Sequence, residues 1–99
     1  MTEQQIELLA ELQRLAMACS TQTGVRVYHS VQGWPDGGVW SEVRIIRDGD
    51  NPPHLDTVVE ITAAGIERRV MTTHTIETLS QQRDALADWI AENRKEKAA

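Results

Sequence analysis

Apolar positions change period twice along the chain, and those changes mark its elements. Thr2 with Gln5 three residues later has the form of a capping box. Leu8, Leu12, Leu15 and Cys19 follow at spacings of four, three and four, joined by Leu9 and Ala16. That single stripe predicts an amphipathic helix over residues 3–20, with Gly24 as its stop.

From Val25 the period becomes two. Val25, Val27, His29 and Val31 alternate with Arg26, Tyr28 and Ser30, which predicts a first strand. The Gly/Pro-rich stretch Gln32 to Gly38 interrupts it, and Val39, Ser41, Val43 and Ile45 alternate with Trp40, Glu42 and Arg44 in a second strand. Asp48-Gly49-Asp50-Asn51-Pro52-Pro53 is a loop signal. Leu55, Thr57, Val59, Ile61 and Ala63 form a third strand, apolar on one face.

Ala64-Gly65 predicts a two-residue hairpin in which Ala63 pairs with Ile66. That register sets Ile66, Arg68 and Val70 of a fourth strand, which runs to Met71 or Thr72, beside Ile61 and Val59, with Arg68 as a misfit. A second helix begins between Thr75 and Leu79 and runs to about Lys95, its stripe Leu79, Leu86, Trp89 and Ile90, with Ile76 if it starts early. Residues 93–99 form a frayed, charged tail with Lys and Arg suited to the helix dipole.

The expected fold is therefore a two-layer α+β domain of order α-β-β-β-β-α. Its sheet is an antiparallel meander with both helices on one face. Ninety-nine residues make a single domain, 1–99, able to hide roughly 60–70% of its unfolded surface. With no Phe, aliphatic residues and three Trp must fill the interior. The core is expected from Leu8, Leu12, Leu15, Val43, Val59, Ile61, Leu86 and Ile90.

Double-stranded-RNA-binding domains share a helix–strands–helix order. Their second helix opens with a basic cluster that grips phosphate. Here that region reads His74-Thr75-Ile76-Glu77-Thr78, without Lys or Arg, so the likeness is topological only.

Charge narrows the function classes. A formal net charge of −5 opposes general affinity for DNA, RNA or anionic membrane and favours protein partners. A single cysteine forbids an internal disulfide, the start MTEQQIELLAELQ lacks the pattern of a secretory signal, and no stretch approaches the roughly 20 apolar residues that span a bilayer. The expected location is cytoplasmic.

Glu3, Glu7 and Glu11 stand four apart on the first helix, as do Asp84, Asp88 and Glu92 on the second. The plainer reading of these carboxylate ridges is a solvated surface; the sharper one is an acidic docking surface that imitates phosphate spacing. Alternation assigns Arg26, Tyr28, Trp40, Glu42, Arg44, Ile46, Asp56, Val58, Glu60, Glu67, Arg69 and Met71 to the uncovered sheet face. Three Arg against four acids deny it the positive field of a base-stacking surface, and cross-strand ion pairs explain the charges more simply. Tyr28, Trp40, Ile46, Val58 and Met71 nevertheless make it apolar enough for a protein interface, including homodimerisation.

The loop Val31-Gln32-Gly33-Trp34-Pro35-Asp36-Gly37-Gly38 carries a Trp that either folds back over the sheet or anchors a partner. Catalysis finds little support. His29, His54 and His74 lack metal-helix spacing, and no nucleophile motif surrounds any Ser. Asp48, Asp50 and Asn51 resemble the start of a calcium loop, but Pro52, Pro53 and Val59 occupy positions that such a loop needs otherwise. No metal and no cofactor are expected, and Cys19 is read as core.

The leading expectation is a non-enzymatic protein-binding module. Small acidic inhibitors carried by phages or plasmids, such as anti-restriction and anti-CRISPR proteins, are of this kind. Its expected contacts are Trp34, Trp40, Tyr28, Arg44, Arg69, Glu7, Glu11, Asp84, Asp88 and Glu92. One alternative is a dimeric secretion-type chaperone. The other is a small-molecule binder or enzyme built on His29, Trp34 and Trp40.

Overall fold

A computed structural model of the chain describes residues 1–49, 51–70 and 75–94. Its elements are α1 (Glu3–Thr23), β1 (Val27–Gly33), β2 (Val39–Ile45), β3 (Leu55–Ile61), β4 (Glu67–Arg69) and α2 (Leu79–Asn93). The strands form one antiparallel sheet in the order β1-β2-β3-β4, as the alternating pattern predicts. α1 packs over β1, α2 over β3, and the helices pack on each other, so both lie on one face.

Each helix starts where its side chains can satisfy the free amides of the first turn. The Thr2 hydroxyl accepts from the Gln5 N–H at 3.1 Å, while Gln5 Oε1 accepts from the Thr2 N–H at 2.9 Å. Thr78 accepts from the Gln81 N–H at 3.1 Å and opens α2. α1 runs three residues past the expected 3–20 because its stop is a left-handed Gly24, φ 72°, whose N–H donates to the Ser20 carbonyl. α2 ends at Asn93 rather than near Lys95; of the expected tail, residues 95–99 lie outside the described residues.

Leu8, Leu9, Leu12 and Cys19 from α1 meet Val43, Ile45, Leu55, Val59 and Ile61 from the sheet and Leu79, Leu86 and Ile90 from α2. Leu15, Ile76 and Trp89, placed on the stripes by spacing, are only partly buried at the margin of this core. Trp89 instead meets His54 of the β2–β3 loop, with ring centroids 5.3 Å apart. The Cys19 thiol is buried, which pushes its pKa up despite the Thr23 hydroxyl beside it.

The β3–β4 hairpin differs from the expected register by one residue. Ile61 pairs with Glu67, Glu60 with Arg68 and Val59 with Arg69, so the loop is the three-residue Ala63-Ala64-Gly65 rather than Ala64-Gly65 alone. Gly65 adopts φ 86°; its N–H donates to the Thr62 carbonyl, and the Thr62 N–H donates to the Ile66 carbonyl. The β1–β2 turn repeats the scheme at Trp34-Pro35-Asp36-Gly37-Gly38, with Gly37 at φ 91°. A turn ending in a left-handed Gly is the common three-residue hairpin solution.

Because one residue of slip reverses every side chain, Arg68 moves to the outer face and Glu67 and Arg69 move to the helix side. Ile66 is left 64% exposed. Arg68 ceases to be a misfit: it pairs with Glu60. Glu67 becomes a tie between layers, Oε1 accepting from the Leu79 N–H at 2.6 Å and Oε2 from Gln5 Nε2 at 3.1 Å. A carboxylate at the first turn of α2 suits the positive end of that helix.

Candidate functional site

With three hairpin registers of equal parity, the odd-numbered strand residues face the helices and the even-numbered ones face away. The uncovered face is thus built in rows. Tyr28, Arg44 and Asp56 form one, Ser30, Glu42 and Val58 the next, and Gln32, Trp40, Glu60 and Arg68 the third. Among the described residues no helix covers Val58, yet it is only 7% exposed, and none pairs with the buried Ser30 Oγ.

Most of the charge on this face is consumed internally. Arg44 lies 3.5 Å from Glu42 and 3.4 Å from Asp56. Arg68 Nε donates to Glu60 Oε1. Pairs as exposed as these contribute little to stability, about 0–1 kcal/mol, but they remove free positive charge from the face.

The third row ends in an aromatic corner. The Trp34 ring folds back onto Trp40, centroids 5.1 Å apart and planes inclined at 60°, an edge-to-face pair. The turn directs this: the Trp34 N–H donates to the Gly38 carbonyl at 2.8 Å, and Asp36 Oδ1 accepts from the Gly38 N–H at 2.8 Å. Trp34 still leaves 43% of its surface exposed. Trp40 Nε1 donates to Glu60 Oε2 at 2.9 Å, so its polar edge is occupied. Trp34, Pro35, Asp36, Trp40 and Glu60 line an open notch of about 360 Å³.

Electrostatically the notch is acidic. The indole N–H of Trp40 first, then Arg68, hold the Glu60 carboxyl below its ordinary pKa, while the nearby Asp36 charge pushes the other way. Glu60 and Asp36 therefore act within one local field.

The acidic ridges are less uniform than their spacing implies. Glu7, Asp84, Asp88 and Glu92 are exposed, but Arg83 reaches Glu11 at 3.5 Å and Asp84 at 3.0 Å, tying the two ridges together. Arg69, expected on the uncovered face, lies opposite Val59 on the helix side. Met71, His74 and Asp50 lie outside the described residues.

His29 is not a neighbour of the aromatic corner. It faces the helices, while Trp40 faces away, so the grouping of His29, Trp34 and Trp40 does not form one pocket. Instead His29 joins a polar chain that alternation alone could not show. Its Nδ1 lies 2.7 Å from Gln13 Oε1 and its Nε2 3.4 Å from the Ser41 hydroxyl. Ser41 Oγ donates to Gln82 Oε1 at 2.8 Å, and Gln82 Nε2 donates to the Ser41 carbonyl at 3.0 Å and to Thr57 Oγ1 at 2.9 Å. Ser41, Thr57 and Gln82 are fully buried, so this chain joins the layers rather than presenting a nucleophile to solvent.

Burial lowers the His29 pKa from its ordinary 6.5. The folded state therefore holds fewer protons than the unfolded state below pH 6.5, and stability falls as pH drops through that region. Urea midpoints measured at pH 7.5 and 5.5 are expected to be lower at 5.5, with the gap narrowed in His29→Gln. An unchanged gap would assign the pH dependence to other groups.

Among the described residues no group of three or more His, Cys, Asp or Glu is placed to hold a metal, and no helix is long and apolar enough to cross a membrane. No protein-family model matches the chain, and neither curated proteins nor solved structures give a significant match.

Proposed function

We propose that the protein is a non-enzymatic binding module, an inhibitor or adaptor, that docks on a protein partner through its uncovered sheet face. The observation that carries the reading is the Trp34–Trp40 corner, an edge-to-face aromatic pair on a sheet face that no helix covers among the described residues. Large aromatics so placed contribute contact area at little entropic cost and are enriched among residues that dominate binding energy. Tyr28, 45% exposed beside Arg44, extends the same surface. The net charge of −5 favours a basic or neutral protein over bare nucleic acid.

Quantitative capture from an extract of the protein's own cells tests this. The Tyr28→Ala/Arg44→Ala variant is expected to retain about a tenth or less of the partner held by wild type. A ridge variant, Glu7→Gln/Asp88→Asn/Glu92→Gln, is expected to hold it undiminished. The opposite pattern would transfer docking to the helices and end the sheet-face reading. Capture of a second copy of the chain would make the face a homodimer interface.

A further inference from the structure

We infer that the notch between Trp34 and Trp40 receives a guanidinium, the side-chain head of an arginine on a basic protein partner. The inference rests on the reading that the sheet face docks, and it names the chemistry of that contact. Shape comes first. Two indole planes at 60° form a corner, and Pro35, Asp36 and Glu60 line with them an open notch of about 360 Å³, with room for a side-chain head to lie against a ring. Glu60 already occupies the Trp40 indole N–H, so Trp40 offers an incoming group its ring surface.

Ring faces are electronegative and attract cations, most strongly on Trp. Charge points the same way. Asp36 and Glu60 line the notch and feel each other, and Arg68 pairs with Glu60, which leaves one negative charge uncompensated. Among the described residues Asp36 forms no ion pair. One further cation balances the notch. A phosphate would meet two carboxylates there, and an apolar group would desolvate them without replacing their water.

Among cations, guanidinium fits better than ammonium. It is planar, stacks on an aromatic face and offers parallel N–H donors to a carboxylate, where an ammonium is a compact, strongly hydrated point charge. Arg68 on Glu60 shows that a guanidinium is accommodated at this edge.

Three capped peptides, Gly-Arg-Gly, Gly-Lys-Gly and Gly-citrulline-Gly, serve as probes, followed by indole fluorescence and by amide shifts of Trp34, Asp36, Gly37 and Gly38. The arginine peptide is expected to bind at least about tenfold more tightly than the citrulline peptide, with shifts confined to the turn. Asp36→Asn preserves an oxygen to accept from the Gly38 N–H, so the turn persists, and it is expected to weaken arginine binding about tenfold. Glu7→Gln, remote from the notch, is expected to leave it unchanged.

Equal binding of arginine and citrulline, equal binding of arginine and lysine, or indifference to Asp36→Asn would each overturn the inference. If the arginine peptide fails while Tyr28→Ala/Arg44→Ala still abolishes partner capture, only the guanidinium contact falls. If it binds in the notch while the double variant keeps the partner and the ridge variant loses it, the face reading falls and the notch remains.

Discussion

Gln82→Leu is expected to destabilise the protein by about 3 kcal/mol, although it replaces a buried polar side chain by an apolar one of similar size. Gln82 is fully buried on the same face of α2 as Leu79, Leu86 and Ile90, and its amide makes three hydrogen bonds to two strands. Leucine would leave the Ser41 hydroxyl without its acceptor and Thr57 Oγ1 without its donor, each about 1–3 kcal/mol when buried. Burial of extra methyl groups offsets only part of this. The network explanation makes a second demand: Ser41→Ala/Thr57→Val/Gln82→Leu, which removes the two orphaned hydroxyls and leaves only the Ser41 carbonyl short of its Gln82 donor, should recover much of the loss. Urea unfolding of both variants checks it. A Leu variant within about 0.5 kcal/mol of wild type, or a triple variant no better than the single, would show that the amide is incidental to stability.

The position of Gln82 was legible in the sequence, but its role was not. Leu79, Leu86 and Ile90 define a stripe whose intermediate turn must also face the sheet, and residue 82 lies on it. Read by hydrophobicity alone, a glutamine there looks like a gap. Only the strand register places Ser41 and Thr57 opposite it to make a polar layer. Gln5 is a parallel case: the capping box was readable, but its second amide contact, to Glu67 and the Gly65 carbonyl sixty residues away, was not.

The hairpin error has a sharper cause. Ala64-Gly65 fits a two-residue turn by composition, and both loop lengths close the chain. The difference lies in the chemistry of the two registers. A two-residue loop sets Arg68 toward the core, whereas a three-residue loop pairs it with Glu60 and turns Glu67 toward the α2 N-terminus. The slip does not clear the helix side of charge, since Arg69 takes the position and stays exposed on the edge strand; what it adds is partners, Glu60 for Arg68 and the Gln5 amide and Leu79 N–H for Glu67. The aromatic corner was half legible. The loop and strand pattern marks Trp34 and Trp40, and the ladder that ends at Gly33 and Val39 brings them together, but Asp36 and Glu60 acquire meaning only once the turn folds the ring back.

Trp34→Ala is expected to weaken partner binding by about 2 kcal/mol or more, near 30-fold, while lowering stability by about 1 kcal/mol. The two effects separate because the ring has two kinds of neighbour. One face-to-edge contact with Trp40 contributes about 0.5–1.5 kcal/mol to the fold, and 43% of the residue remains exposed for a partner. The turn does not depend on the ring, since Trp34 holds Gly37 and Gly38 through its backbone carbonyl and N–H, which alanine keeps. Trp34→Phe retains an aromatic face and is expected to fall between wild type and alanine in affinity. The unfolding midpoint and the affinity for the captured partner, measured on the same preparations, decide between contact and packing. A loss of stability well above 1 kcal/mol with unchanged affinity of the folded fraction would make Trp34 a packing residue, and the face would then need another anchor.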